Sequence, residues 1–136
     1  MATQIFVNLP VKDLSKTIAF FEGLGYSFNP QFTNELAGCM VVSDTIYFMM
    51  VTEGFFQTFT NKPISDATKA TEVLNCVSVE SREKADELYD KAIAGGGQPS
   101  KEPTDYGWMY GRSFQDLDGH QWEVMYLDPA GPPAEH

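Results

Sequence analysis

A chain of 136 residues with 43% hydrophobic residues and ten phenylalanines is long enough to bury a core without staples and too apolar to stay disordered. Its formal charge of −10 creates a field that repels phosphate backbones and anionic lipid headgroups, which argues against nucleic acid and membrane surfaces as partners. Cys39 and Cys76 lie in apolar segments with no second Cys or His at ligand spacing, so they read as buried free thiols of a reducing compartment, not a disulfide framework.

The first ten residues carry no signal-peptide pattern, and no segment approaches the roughly 20 apolar residues of a membrane span, so a cytoplasmic protein is expected. Gln4 to Val11 (QIFVNLPV) is β-branched and aromatic and reads as a strand. Asp13 caps a helix in which Leu14, Ile18, Phe21 and Leu24 recur at helical spacing until Gly25 stops it. The stretch to Phe32 is punctuated by Asn and Pro and reads as a short irregular strand. Ala37 to Val42 and Thr45 to Val51 then flank Ser43-Asp44 as a hairpin. Glu53 to Ala70 shows no dominant period and is expected to be a connector with some helical turn.

Glu72 to Glu80 (EVLNCVSVE) is the next strand, and Ser81 caps a helix whose Ala85, Leu88, Tyr89, Ala92 and Ile93 form one apolar stripe. Glu87 and Lys91 make an i,i+4 pair on its outer face, and Gly95-Gly96-Gly97 ends it. Gln98 to Pro103 is an edge-strand candidate. Trp108 to Phe114 and Gln121 to Leu127 are strands joined at Asp118-Gly119, a hairpin signal because both residues tolerate positive φ. The pattern predicts an α+β fold of two tandem βαβββ modules, at about 3–52 and 72–127 of a single domain 1–127, followed by a loose tail at 128–136.

Three stretches carry a family resemblance over nearly the whole chain. Phe6 to Leu14 (FVNLPVKDL) resembles a first strand running into an Asp-Leu helix start, Ala19 to Tyr26 (AFFEGLGY) resembles the helix end that follows, and Gly111 to Glu123 (GRSFQDLDGHQWE) resembles a closing F.DPDG...E segment with Leu117 in place of the usual Pro. In this order and spacing they are similar to the glyoxalase/bleomycin resistance/extradiol dioxygenase superfamily, the vicinal oxygen chelate proteins, and to its group often labelled predicted lactoylglutathione lyase. The resemblance implies the glyoxalase/bleomycin resistance/dihydroxybiphenyl dioxygenase fold, a curled mixed β-sheet around a cleft. It also implies a homodimer, since closed two-fold pairs are the commonest assembly.

The resemblance further implies a divalent ion held by four side chains, acting as Lewis acid on a substrate with two adjacent oxygens. Those positions fall here on Phe6, on Phe48 or Met49, on Leu74 and on Glu123. Phe and Leu offer no donor, a thioether is too soft for the usual ions, and Asn75 beside Leu74 would point to the opposite face. Only Glu123 keeps its chemistry, so no metal and no other cofactor is expected. The two histidines, His120 in a turn and His136 at the end, cannot supply a two-His-one-carboxylate iron centre, which argues against ring-cleaving dioxygenase activity.

Alternation puts Phe6 with Asn8, and Gln121 with Glu123 and Met125, on common faces. The expected ligand-binding set is Phe6, Asn8, Met49, Leu74, Trp108, Tyr110, Arg112 and Glu123, with Met40, Met50 and Met109 as further wall candidates. Such an aromatic and Met-lined cavity suits a small organic molecule. Glu123 is the single catalytic candidate, as a general base or ligand-orienting carboxylate, and Arg112 pairs either with a ligand anion or with one of the protein's carboxylates. Three functions follow: metal-free binding or sequestration of a small molecule, a lyase-like enzyme with a rebuilt site, and a partner-binding domain.

Overall fold

In the computed structural model, which describes residues 2–133, the chain forms two compact units, Met1–Asp66 and Ala67–His136. The first runs β1 (Ile5–Val11), α1 (Leu14–Gly23), β2 (Ser27–Phe28), β3 (Ala37–Val41), β4 (Ile46–Thr52) and the short α2 (Glu53–Phe56). The second runs β5 (Leu74–Val79), α3 (Arg82–Ala94), β6 (Gln98–Pro99), β7 (Thr104–Asp105), β8 (Met109–Gln115) and β9 (Gln121–Leu127). His136 and the end of the tail from 134 on lie outside the described residues.

Each unit packs one long helix, α1 or α3, on one mixed, open sheet. The orders are β1-β4-β3-β2 and β5-β9-β8-β6, with β7 also pairing β8. Among the described residues only the β1–β4 and β5–β9 pairs are parallel, each bridged by a crossover that contains the helix.

The caps act as the sequence predicts. Asp13 accepts the Lys16 N–H at 3.1 Å and Ser81 accepts the Lys84 N–H at 3.0 Å, each satisfying an orphan donor of the first turn. Gly25 and Gly96 follow the helices at φ of 105° and 106°, where a side chain would be strained. Helix α1 buries Leu14, Thr17, Phe20 and Phe21 over the sheet face that carries Leu9, Val11, Met40, Phe48 and Met50. Full burial of such side chains contributes about 1.5–3 kcal/mol each. Helix α3 buries Ala85, Leu88 and Ala92 over Val77, Phe114, Trp122 and Val124.

Several expectations need correction. The stretch to Phe32 gives only a two-residue strand and then a 3-10 turn, Pro30–Phe32, because Pro30 fixes φ and has no N–H for a ladder. Of the edge candidate Gln98 to Pro103, only Gln98–Pro99 forms a strand, β6; pairing with β8 resumes past Pro103 in β7. The last hairpin is not a two-residue turn: only Gly119 takes positive φ, at 87°, and Asp116 organises a wider loop by accepting the N–H groups of Asp118 and His120. Cys39 is buried, but Cys76 is exposed, since Asn75 and Val77 take the helix side of β5. Met40 and Met50 have no exposed surface and face α1, so they belong to the core.

Candidate functional site

The sheet face of the first unit opposite α1 forms a cavity of about 400 Å³. Its floor is set by register. Phe6 pairs with Tyr47 and Asn8 with Met49 across the parallel β1–β4 ladder, and Cys39 of β3 pairs with the same Met49. Side chains two apart share a face, so Phe6 and Asn8 of β1, with Gln4 just before it, line one wall. Asn29 and Phe32, on either side of Pro30, complete the lining.

Apolar surface dominates. The Phe6 and Tyr47 rings stack with centroids 4.9 Å apart and planes within 10°, a cross-strand aromatic pair. No lining residue carries a formal charge. The polar groups are partly spent on each other: Gln4 Nε2 donates to the Asp44 carbonyl at 3.2 Å and to Tyr47 Oη at 3.4 Å. Tyr47 Oη donates to the same carbonyl at 3.0 Å, and Asn8 Nδ2 donates to the Phe6 carbonyl at 3.3 Å. Asn29 Oδ1 accepts the Gln31 N–H at 2.9 Å. Burial pushes the Cys39 thiol above its ordinary range, which keeps it protonated and weakly nucleophilic.

The second unit presents a more polar face. Glu123 is the ladder partner of Cys76 and of Ser113, and Leu74 is the partner of Gln121. Lys101 Nζ lies 3.5 Å from Glu123 Oε2, and Gln121 Nε2 donates to Ser100 Oγ at 2.6 Å. The Cys76 thiol is pushed up first by burial and then by the Glu123 charge.

Of the residues expected from sequence, Phe6, Asn8 and Met49 share the first unit's cavity. Phe48, the other candidate at that position, is buried toward α1. Leu74 and Glu123 share the open face of the second unit. Tyr110 and Arg112 do not join them: Tyr110 Oη and Arg112 Nη1 each lie 2.6 Å from Asp86 Oδ1 of α3, and the guanidinium sits 3.8 Å from the centre of the Tyr89 ring. These contacts hold the Asp86 carboxyl low, the Tyr110 hydrogen bond first. Trp108 tilts against Tyr106 at 6.2 Å. Gln4, Cys39 and Tyr47 are lining residues that parity with Phe6, Asn8 and Met49 could have found. Asn29 and Phe32 carry no periodic signal.

The donor set does not fit the divalent ion that the resemblance implies. Phe6, Met49 and Leu74 supply no hard donor, and among the described residues no three His, Cys, Asp or Glu side chains come together to hold a metal. Among them, too, no helix is long and apolar enough to cross a membrane.

Residues 4–124 match the family model described as the Glyoxalase/Bleomycin resistance protein/Dioxygenase superfamily. No curated protein matches the chain. Among solved structures, a hypothetical protein, SA1046, from S. aureus is 28% identical with a TM-score of 0.78, over 93% of this chain and 95% of its own. The fosfomycin resistance protein FosX from Listeria monocytogenes is 19% identical with a TM-score of 0.66, over 100% and 96%. The bleomycin resistance determinant encoded on the transposon Tn5 is 20% identical with a TM-score of 0.64, over 93% and 99%. The last two share the fold.

Proposed function

The chain belongs to the glyoxalase/bleomycin resistance protein/dioxygenase superfamily, and from that premise we propose that it binds a small, flat organic molecule in the cavity of its first unit, without a metal ion. The observation that carries this reading is the identity of the cavity floor. Phe6, at a position the resemblance assigns to a metal ligand, and Met49, one of the two candidates for another, are themselves lining residues. An aromatic face and a thioether hold an organic ligand by shape and dispersion, and the neutral amides of Gln4, Asn8 and Asn29 orient it.

Titration with the neutral dye N-phenyl-1-naphthylamine, followed by its fluorescence, tests this. Saturable binding, unchanged by EDTA and weakened about tenfold in Phe6→Ala through loss of an aromatic contact of order 1 kcal/mol, is the expected result. Absence of saturable binding rejects it, as does tightly bound stoichiometric Ni, Zn, Fe or Mn in the purified protein.

One observation favours a second reading, a lyase-like enzyme using Glu123 as a base: its carboxylate is only 17% exposed on a face that also carries the Cys76 thiol. Turnover of a vicinal-oxygen substrate that persists in EDTA and vanishes in Glu123→Gln would support it over the binding reading; chelator-sensitive turnover would instead show a rebuilt metal site. We further propose a cytoplasmic homodimer, the reducing compartment suiting two free thiols and the symmetry being the common one. A monomer in sedimentation at micromolar concentration counts against the dimer.

A further inference from the structure

We propose that the ligand of the first unit's cavity is a flat aromatic cation, a refinement that rests on the binding reading above. Three independent features of this site point to positive charge. The first is the stacked pair of Phe6 and Tyr47. Both rings line the cavity, and Phe6 keeps half of its surface exposed, so an electron-rich aromatic face is available to a cation.

The second is the balance of unspent polar atoms. Gln4 gives its amide N–H groups to the Asp44 carbonyl and Tyr47 Oη, and Asn8 gives one of its own to the Phe6 carbonyl. Among the described residues nothing donates to Gln4 Oε1 or Asn8 Oδ1, so each amide has its acceptor end left for a ligand. Asn29 runs the other way, with its Oδ1 used by Gln31 and its Nδ2 left as a donor. Acceptors outnumber it.

The third is the field. The lining holds no Lys, Arg or His, and the first unit carries cations only at Lys12, Lys16 and Lys62 against six carboxylates. The whole chain has a net charge of −10. An anion entering this cavity meets no positive partner and a repulsive potential, whereas a cation is drawn in and finds ring faces and amide oxygens. The Phe6–Tyr47 pair therefore serves as a cation platform and not merely as apolar filling.

The test uses three probes of nearly one shape: N-methylquinolinium, its neutral isostere 1-methylnaphthalene, and the anion 1-naphthoate, each titrated calorimetrically into the full chain. We expect N-methylquinolinium to bind at least threefold tighter than 1-methylnaphthalene, 1-naphthoate not to bind, and only the cation to weaken as NaCl rises from 20 to 500 mM. Phe6→Leu, which keeps apolar bulk and removes the ring, is expected to weaken the cation at least fivefold and the neutral probe less. If 1-methylnaphthalene binds as tightly as the cation, or 1-naphthoate binds at all, the charge preference is overturned while the binding reading stands. If none of the three binds, both fall.

Discussion

Trp122 donates its indole N–H to Asp116 Oδ2 at 2.9 Å inside the second unit, where the two residues are 1% and 4% exposed. The other oxygen, Oδ1, accepts the N–H groups of Asp118 and His120 at 2.9 and 3.0 Å. One carboxylate therefore closes the β8–β9 loop and satisfies a buried indole. Asp116→Asn puts an NH2 group against one of these N–H donors, and a loss of about 1–3 kcal/mol is expected in urea unfolding. Burial outweighs these bonds and raises the Asp116 carboxyl above its ordinary range. A raised folded-state value contributes stability that is fully present below the unfolded value of 3.8 and is lost as pH climbs through the raised one. The wild-type advantage over Asp116→Asn is thus expected to shrink from the acid end toward neutrality; an advantage that grows with pH would refute the sign.

Asp105 shows the opposite case at the surface. Arg82 grips both of its oxygens at 2.9 and 3.0 Å, and the Gly107 N–H adds a bond at 2.9 Å. Its carboxyl is lowered from 3.8 to about 2, the Arg82 hydrogen bond being the largest cause and the Gly107 N–H the next. The associated stability is present above the unfolded value and fades as pH falls toward about 2; solvent screening keeps it small. In Arg82→Ala the Asp105 carboxyl is expected to titrate nearer 3.8 without fully reaching it, because Gly107 still donates. Carbon-detected NMR of the carboxyl carbon reads this directly, and an unmoved titration rejects the pairing.

Gly119 and Gly25 separate backbone strain from crowding. Both have positive φ, at 87° and 105°, but a Cβ at Gly119 would lie 2.9 Å from the Thr68 backbone, while one at Gly25 meets nothing within 4 Å. Gly25→Ala is expected to cost about 1–2 kcal/mol from φ alone, and Gly119→Ala measurably more, because main-chain atoms cannot swing aside. Equal midpoint shifts in thermal unfolding would show that residues 67–68 yield freely.

How much of this was legible in the sequence depends on which force fixed each feature. Local forces were readable: the Asp13 and Ser81 caps, the Ala85–Leu88–Ala92 stripe and the strand Gln121–Leu127 follow from propensity and period. Parity along β1 gave Phe6 and Asn8 together. The exposure of Cys76 was not readable, because EVLNCVSVE carries apolar residues on both faces and only the packing of α3 against β5 decides between them. Arg112 held both outcomes, and its capture by Asp86 required the Cα path of α3 over β8, which no spacing encodes. Asn29 and Phe32 reach the cavity through a proline-led turn whose direction is set by the chain that follows it.

Glu123 is the one residue at an implied ligand position that retains a hard donor. Its carboxylate faces Cys76 across the β5–β9 ladder and raises the thiol, second only to burial. Glu123→Gln keeps the shape of the side chain and removes the charge, and it also frees the Lys101 ammonium that now sits 3.5 Å from it. Both changes favour the thiolate. A unit charge at cross-strand distance in water-like surroundings is worth about 1 kcal/mol or less, so the alkylation rate of Cys76 by iodoacetamide at pH 8 is expected to rise about two- to fivefold. Cys39, buried at 2% exposure, reacts slowly in both proteins, and Cys76→Ser removes the fast phase to identify it. The melting temperature is expected to stay within a few degrees, since the Lys101 ammonium that pairs with Glu123 at 3.5 Å is largely solvated and such a pair contributes little. An unchanged alkylation rate in a folded Glu123→Gln protein would show that the carboxylate does not act on the thiol, and the electrostatic coupling of this face would have to be abandoned.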